Sequence, residues 1–187
     1  MSEEGVIEPA PAWNVLVTSR QSQQRRLRRA LRPLVRLQAR GFRNVFVGYV
    51  EDVEAFLTAV AELRARRPAV GEWMGKILPI ERSFVVDAAR FDVQLQAESA
   101  IFVERLVGRS FHVRIERRGF KGIINSHASE KALGEHLYAA LEARGARPSV
   151  DFRDPDVVVA VEVVGDVAGL ALVTRELRER FPFVKID

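Results

Sequence analysis

An eight-residue run, Val157-Val158-Val159-Ala160-Val161-Glu162-Val163-Val164, is nearly all apolar, with Pro155-Asp156 before it and Gly165-Asp166 after it. A strand with one face in water alternates apolar and polar residues, so a run that does not alternate needs cover on both faces. The run therefore predicts a strand buried on both sides. Gly165-Asp166 turns the chain into Val167–Val173, a hairpin partner. Upstream, Phe111, Val113 and Ile115 alternate with His112, Arg114 and Glu116, the period of a half-buried strand.

The remaining elements follow from periodicity and punctuation. Residues 1–11, with Gly5, Pro9 and Pro11, read as a loose tail. Trp13–Thr18 is a first strand. Gln21–Arg40 reads as a helix stopped by Gly41, with Leu27, Leu31 and Leu34 on its buried face, and Pro33 demands a kink or a restart within it. Val45–Val50 is a second strand, Asp52 caps a helix over Val53–Arg66 ended by Pro68, and Trp73–Ile80 is a third extended segment. This alternation is that of a small α/β or ferredoxin-like unit. The second half begins again with a helix over Ala88–Val107, stopped by Gly108. A helix from Glu130 to Arg144 follows the alternating strand, capped by Ser129 and ended by Gly145. Thr174 caps a short helix through Arg180, and Phe183–Ile186 is a last strand.

At 187 residues the chain holds one large or two small domains, and 48% hydrophobic with 29% charged residues is the balance of a globular protein. No apolar run reaches the roughly 18 residues that span a bilayer, so no membrane role is expected. Glu3 and Glu4 open the chain with no apolar segment behind them, against a secretory signal. Cysteine is absent. That excludes disulfides, thiolate catalysis and the common structural zinc sites, and fits a reducing cytoplasm.

The pI is about 9.9 at a net charge of only +4, with 25 arginines against 4 lysines. Arginine codons of a GC-rich genome account for such a bias; so does phosphate recognition, because guanidinium binds phosphate bidentately and stacks on bases. Placement separates the two. Arg114-Ile115-Glu116-Arg117-Arg118-Gly119-Phe120-Lys121-Gly122 carries a strand into a loop with cations, glycines and one aromatic ring. Such a loop offers phosphate contacts and a base platform, or is simply a solvated strand exit, with Phe120 either a stacking surface or a core plug. Arg25, Arg29, Arg32, Arg36 and Arg40 recur at helical steps of three and four, a like-charged stripe that a polyanion would relieve.

Catalytic signals are thin. His112, His127 and His136 lack helical zinc spacing, and Asp151, Asp154 and Asp156 at a strand entry suit turn and capping duties better than a cation. No phosphate-binding glycine loop and no G-x-S-x-G stand in the chain. No catalytic residue, metal or cofactor is expected. The competing classes are a protein-interaction scaffold whose arginines reflect codon bias, and an enzyme with an unrecognised site acting on RNA or on a small molecule.

Ser110-Phe111-His112-Val113-Arg114-Ile115-Glu116-Arg117-Arg118-Gly119, then Leu133-Gly134-Glu135, then Asp154-Pro155-Asp156-Val157-Val158-Val159 and Val161-Glu162-Val163, resemble the THUMP domain, a tRNA-binding module of RNA-modification enzymes. Lys76-Ile77-Leu78-Pro79-Ile80-Glu81-Arg82 is similar to the segment joining a ferredoxin-like N-terminal domain to that module. The resemblance implies an α/β (α+β) chain with a ferredoxin-like domain over 12–83 and THUMP over 84–187, the latter with a mixed parallel and antiparallel sheet. It implies a tRNA partner, bound at the acceptor stem and 3′ CCA end. Implied contacts are Lys76, Arg82, Arg114, Arg117, Arg118, Phe120 and Lys121, with the stripe of Arg25, Arg29, Arg32 and Arg36 as further candidates. Because the chain ends at Asp187, just past the module, the architecture looks like the stand-alone branch, which presents tRNA to a separate modifying enzyme such as a cytidine acetyltransferase. The closing Arg175–Phe183 is similar to the tail of those proteins. Phe120-Lys121-Gly122 departs from the family's usual pattern.

Overall fold

Two sheets make up the described part of the chain, residues 13–186 in this computed structural model; the tail expected over 1–11 lies outside the described residues. The first sheet is built from β1 (Val15–Ser19), β2 (Gln38–Ala39), β3 (Val45–Gly48) and β4 (Met74–Pro79), with α1 (Gln24–Leu31), α2 (Val53–Arg66) and α3 (Ala69–Trp73) between them. Its order is β2-β3-β1-β4, antiparallel throughout. Helix α2 has the expected bounds, and the Asp52 carboxylate accepts from the Ala55 N–H at 2.9 Å. Helix α1 stops at Leu31, nine residues short of the expected end at Arg40. Pro33 has no N–H to continue the ladder; Arg32 before it still has helical angles, φ −52° and ψ −36°, and the chain leaves the helix through a turn in which the Leu34 and Val35 N–H groups donate to the Leu31 carbonyl. The chain instead forms the edge strand β2. Arg25 and Arg29 therefore share a helix, while Arg32, Arg36 and Arg40 lie beyond it; the expected single stripe does not form.

The second sheet has the order β5-β9-β8-β6-β7, from β5 (Arg82–Val85), β6 (Ser110–Arg118), β7 (Ser149–Val150), β8 (Val157–Val164) and β9 (Val167–Thr174). β6 runs parallel to β7 and β8, and the other pairs are antiparallel, so the sheet is mixed as expected. The helix expected over 88–107 is broken into α4 (Phe91–Ser99), a 3₁₀ turn at Ala100–Phe102 and α5 (Val103–Leu106). Helix α6 (Ser126–Glu142) starts before Ser129. Asn125 caps it, accepting from the Ala128 N–H at 3.2 Å, and Ser129 is buried inside the first turn. Thr174 caps α7 (Arg175–Arg180), as its sequence predicts. Residues 183–186 form no strand, although the Ile77 N–H of β4 donates to the Phe183 carbonyl at 2.9 Å.

β8 is buried at all eight positions. Val157, Val159, Val161 and Val163 face a core shared with α4 and α6, through Leu95, Leu133 and Leu137. Val158, Ala160 and Val164 face a second core, formed with the first sheet and with Phe181 and Phe183. The first sheet thus supplies the cover that β8 needs on its other side, and the apolar core does not divide at residue 83.

Candidate nucleic-acid interface

β7 pairs with β6 only at Ser110 and Phe111, which leaves the rest of that edge of β6 without a strand neighbour. Glu130 of α6 takes over: its carboxylate accepts from the Ile115 N–H at 2.8 Å and lies 3.6 Å from the Arg114 guanidinium. A cleft of about 1110 Å³ opens along this edge. One wall is an α6 stripe at steps of three and four, His127, Glu130, Lys131, Gly134, Glu135 and Tyr138, opposite the buried Leu133 and Leu137. His112 and Arg114 of β6 form the floor, Phe152 and Arg153 one rim, and Arg178, Lys185 and Ile186 close the far side. The Phe183 bond to β4 holds that last segment, so both sheets shape the cleft. Arg114, Lys131, Arg153, Arg178 and Lys185 face two carboxylates, Glu130 and Glu135. The balance favours an anion.

Phe152 is 78% exposed at the rim, an unusual place for so large an apolar ring. It is held there firmly. Asp151 accepts from the N–H groups of Arg153 (2.8 Å) and Asp154 (3.0 Å), closing a tight turn. Arg175 grips the Asp154 carboxylate and donates to its carbonyl at 2.8 Å. Asp156 accepts from the N–H and hydroxyl of Ser110, both at 2.9 Å, which holds its carboxyl below the usual range. All three aspartates are thus occupied in shaping the turn. The His112 ring lies 5.8 Å from that of Phe152, and its Nδ1 stands 3.1 Å from the Asp151 carbonyl. A carbonyl only accepts, so Nδ1 carries the proton and a neutral ring keeps Nε2 as an acceptor. Arg153 and Lys185 are exposed and enter no ion pair among the described residues.

Several residues picked out in the sequence lie elsewhere. Lys76, only 1% exposed, is buried between the sheets, 2.9 Å from Glu116 and 2.8 Å from Glu162. Arg118 closes the cluster on the same two carboxylates, 2.7 Å from Glu116. Burial disfavours the Lys76 ammonium, but the two carboxylates outweigh it and hold its pKa above the ordinary lysine value. For Glu162 burial dominates and pushes its carboxyl upward, against the pull of Lys76 and Arg118. Lys76 and Arg118 are corrected accordingly: their charges are spent inside the protein, and Lys76 cannot reach a phosphate. Arg82 pairs with Glu98. Arg117 donates to the Gly119 carbonyl, and its buried Nε has no hydrogen-bond partner among the described residues. Phe120 is half-buried and packs on the α4–α6 core, while Lys121 is exposed. Of the group nominated around β6, only Arg114 lines the cleft. His112, Lys131, Tyr138, Phe152, Arg153, Arg178 and Lys185 were missed. The signal for Phe152 was legible: a lone aromatic amid Asp151, Arg153 and Asp154, in a segment with no apolar period.

Among the described residues no helix is long and apolar enough to cross a membrane, and no group of His, Asp or Glu has the arrangement of a metal site. No curated protein matches the chain. Among solved structures, TrmN from Thermus thermophilus aligns at a TM-score of 0.61 and 22% identity, over 90% of this chain and 48% of its own. A Pyrococcus horikoshii protein aligns at 0.56 and 13%, over 86% and 54%. A 4-thiouridine synthetase, in complex with RNA and ATP, aligns at 0.53 and 16%, over 86% and 41%. The chain thus spans about half the length of the structures it matches. The THUMP domain model matches residues 76–173, from Lys76 in β4 to Val173 in β9 and just over half of the chain. The order and register of β6, α6, β8 and β9 are what that stretch of sequence builds, and the chain belongs to the THUMP-domain family, an assignment that implies RNA binding.

Proposed function

We propose that the cleft between α6, β6 and the C-terminal segment binds the single-stranded 3′ CCA end of tRNA. The chain then presents that tRNA to a separate modifying enzyme and performs no chemistry itself. One observation carries the reading: an exposed ring, Phe152, held on a rigid turn beside Arg153 and Lys185, which enter no ion pair among the described residues. Unpaired terminal bases offer faces to such a ring, and the cations meet the phosphates between them. His112 Nε2 adds an acceptor for an exocyclic amine or a 2′-hydroxyl. A cytidine acetyltransferase is the partner that the sequence resemblance implies.

Titration with deacylated tRNA tests this directly. Intact tRNA is expected to bind several-fold more tightly than tRNA trimmed of its CCA, and Phe152→Ala to erase the difference. Stacking on one ring is worth about 1–3 kcal/mol. So exposed a side chain supports little of the core, so the melting temperature should stay put. Equal affinity of the wild-type protein for trimmed and intact tRNA would sink the reading.

A further inference from the structure

Between Trp13 and Val50 the chain carries nine arginines and no carboxylate. All nine are exposed, and none enters an ion pair among the described residues. Elsewhere most surface arginines find carboxylates, Arg82 with Glu98, Arg105 with Glu81, Arg109 with Glu176 and Arg180 with Glu54 among them, and the exposed arginines that enter no ion pair among the described residues, Arg67, Arg90, Arg147 and Arg153, are scattered singly along the chain. Codon bias adds arginines anywhere; it does not segregate them from carboxylates. Arg28 leans on the Leu37 carbonyl and the Phe46 ring, and Arg20 and Arg26 reach neutral oxygens. The head groups of Arg25, Arg29, Arg32, Arg36, Arg40 and Arg43 have no polar partner among the described residues.

This surface continues onto the second sheet. The turn between β2 and β3 sets Phe42 against Gly165, where an added methyl group would lie 3.8 Å from its ring. Gly165 in turn backs onto Gly119, its N–H donating to the Arg118 carbonyl at 2.8 Å. Arg40 and Arg43, which flank Phe42, therefore stand beside the loop that carries exposed Lys121. The cleft lies toward the other end of β6, at His112 and Arg114.

We propose that the arginine surface of residues 25–43 is a second nucleic-acid site, separate from the cleft, which takes the backbone phosphates of double-helical RNA. The chemistry is phosphate chemistry alone. Within residues 25–43 the one ring, Phe42, is half-buried and turned against Gly165, and Phe46 lies beneath Arg28; the exposed Tyr49 stands past the stretch, after Gly48 of β3. Guanidinium groups spread over a helix, a loop and a turn suit a duplex backbone, which is read by charge and shape. The proposal rests on RNA as the ligand of the cleft but uses none of its residues.

The test uses the full chain and two probes, a blunt RNA hairpin without a tail and an unpaired oligonucleotide ending in CCA. Arg40→Gln with Arg43→Gln is expected to weaken hairpin binding about tenfold and to lower the slope of log K against log[salt] by roughly 1–2. Oligonucleotide binding should stay within twofold. Phe152→Ala should do the reverse. Unchanged hairpin binding in this variant and in Arg25→Gln with Arg29→Gln overturns the proposal, and so does equal loss with both probes, which means one shared site. If Phe152→Ala is harmless to both probes, the cleft reading fails while the hairpin arm still stands or falls on the arginines.

Discussion

Phe120 sits with a left-handed backbone, φ 51°, between Gly119 at 129° and Gly122 at 79°. Gly119 has no substitute: a Cβ there would come within 2.8 Å of the Gly165 carbonyl oxygen, and its φ belongs to glycine. Phe120 tolerates the same kind of turn because its ring is anchored, half-buried, on the core that contains Phe84 and Leu133. The sequence left the ring open as base platform or core plug, and the anchoring favours the plug. Phe120→Ala is accordingly expected to cost about 2 kcal/mol in urea denaturation, less than a fully buried phenylalanine, and to leave tRNA affinity within twofold. Unchanged stability with lost binding would place the ring on the ligand instead. Two caps were legible, Asp52 before the apolar period of α2 and Thr174 before α7, and both bond as their type dictates; Ser129 was not, because Asn125 starts α6 one turn earlier. Lys76 was the least legible, because lysine is almost always exposed and nothing local in Lys76-Ile77-Leu78 shows that two carboxylates, 40 and 86 positions further on, converge on it.

Strands meet strands through that cluster. β4 of the first sheet brings Lys76, β6 brings Glu116 and Arg118, and β8 brings Glu162, two positive and two negative charges closing on one another. The register that sets Glu116 opposite Glu162 would leave two like charges side by side in a bare sheet. Lys76 and Arg118 make that pairing tolerable, so the cluster is specific to one docking of the two sheets. Burial pushes the Glu116 carboxyl up, but the hydrogen bond and charge of Lys76, with those of Arg118, more than reverse this and leave it below the ordinary value of 4.5. An acid whose pKa falls on folding stabilises the folded state above its unfolded pKa and ceases to do so as pH drops through the folded one. Glu116→Gln is thus expected to lower the melting temperature at pH 7, with the deficit shrinking as pH falls below about 4.5. A deficit that is constant from pH 7 to pH 3 would mean that shape, not charge, is what Glu116 contributes. Strand and helix identities were largely readable from period. The errors came where one residue outvoted a period, Pro33 in α1, or where an edge strand of two residues was too short to have a period, as in β2 and β7.

Across the whole molecule, the run Val157–Val164 announced two covered faces, but not what covers them. The helices α4 and α6 take one side; the first sheet takes the other, with Val158, Ala160, Ala171 and Val173 packed in the same cluster as Leu16, Ile77 and Phe183. Sequence periodicity stops at the element, and which faces meet is decided by volumes and by contacts such as the Lys76 cluster. The same arrangement explains why the cleft was only partly visible: its walls come from β6, α6, the Phe152 turn and the C-terminal segment, which the chain brings together only after both sheets have docked. Two independent domains would unfold as two events, whereas a shared core couples them. The described chain is therefore expected to unfold in a single cooperative transition by calorimetry, with calorimetric and van't Hoff enthalpies equal. A fragment cut at residue 83 should lose fixed tertiary structure, because it bares the apolar face of β8 and β9. Two resolved transitions, or a fragment from residue 84 onward that melts cooperatively, would show that the first sheet is a separable lodger on the second and that the cleft must tolerate hinging between them.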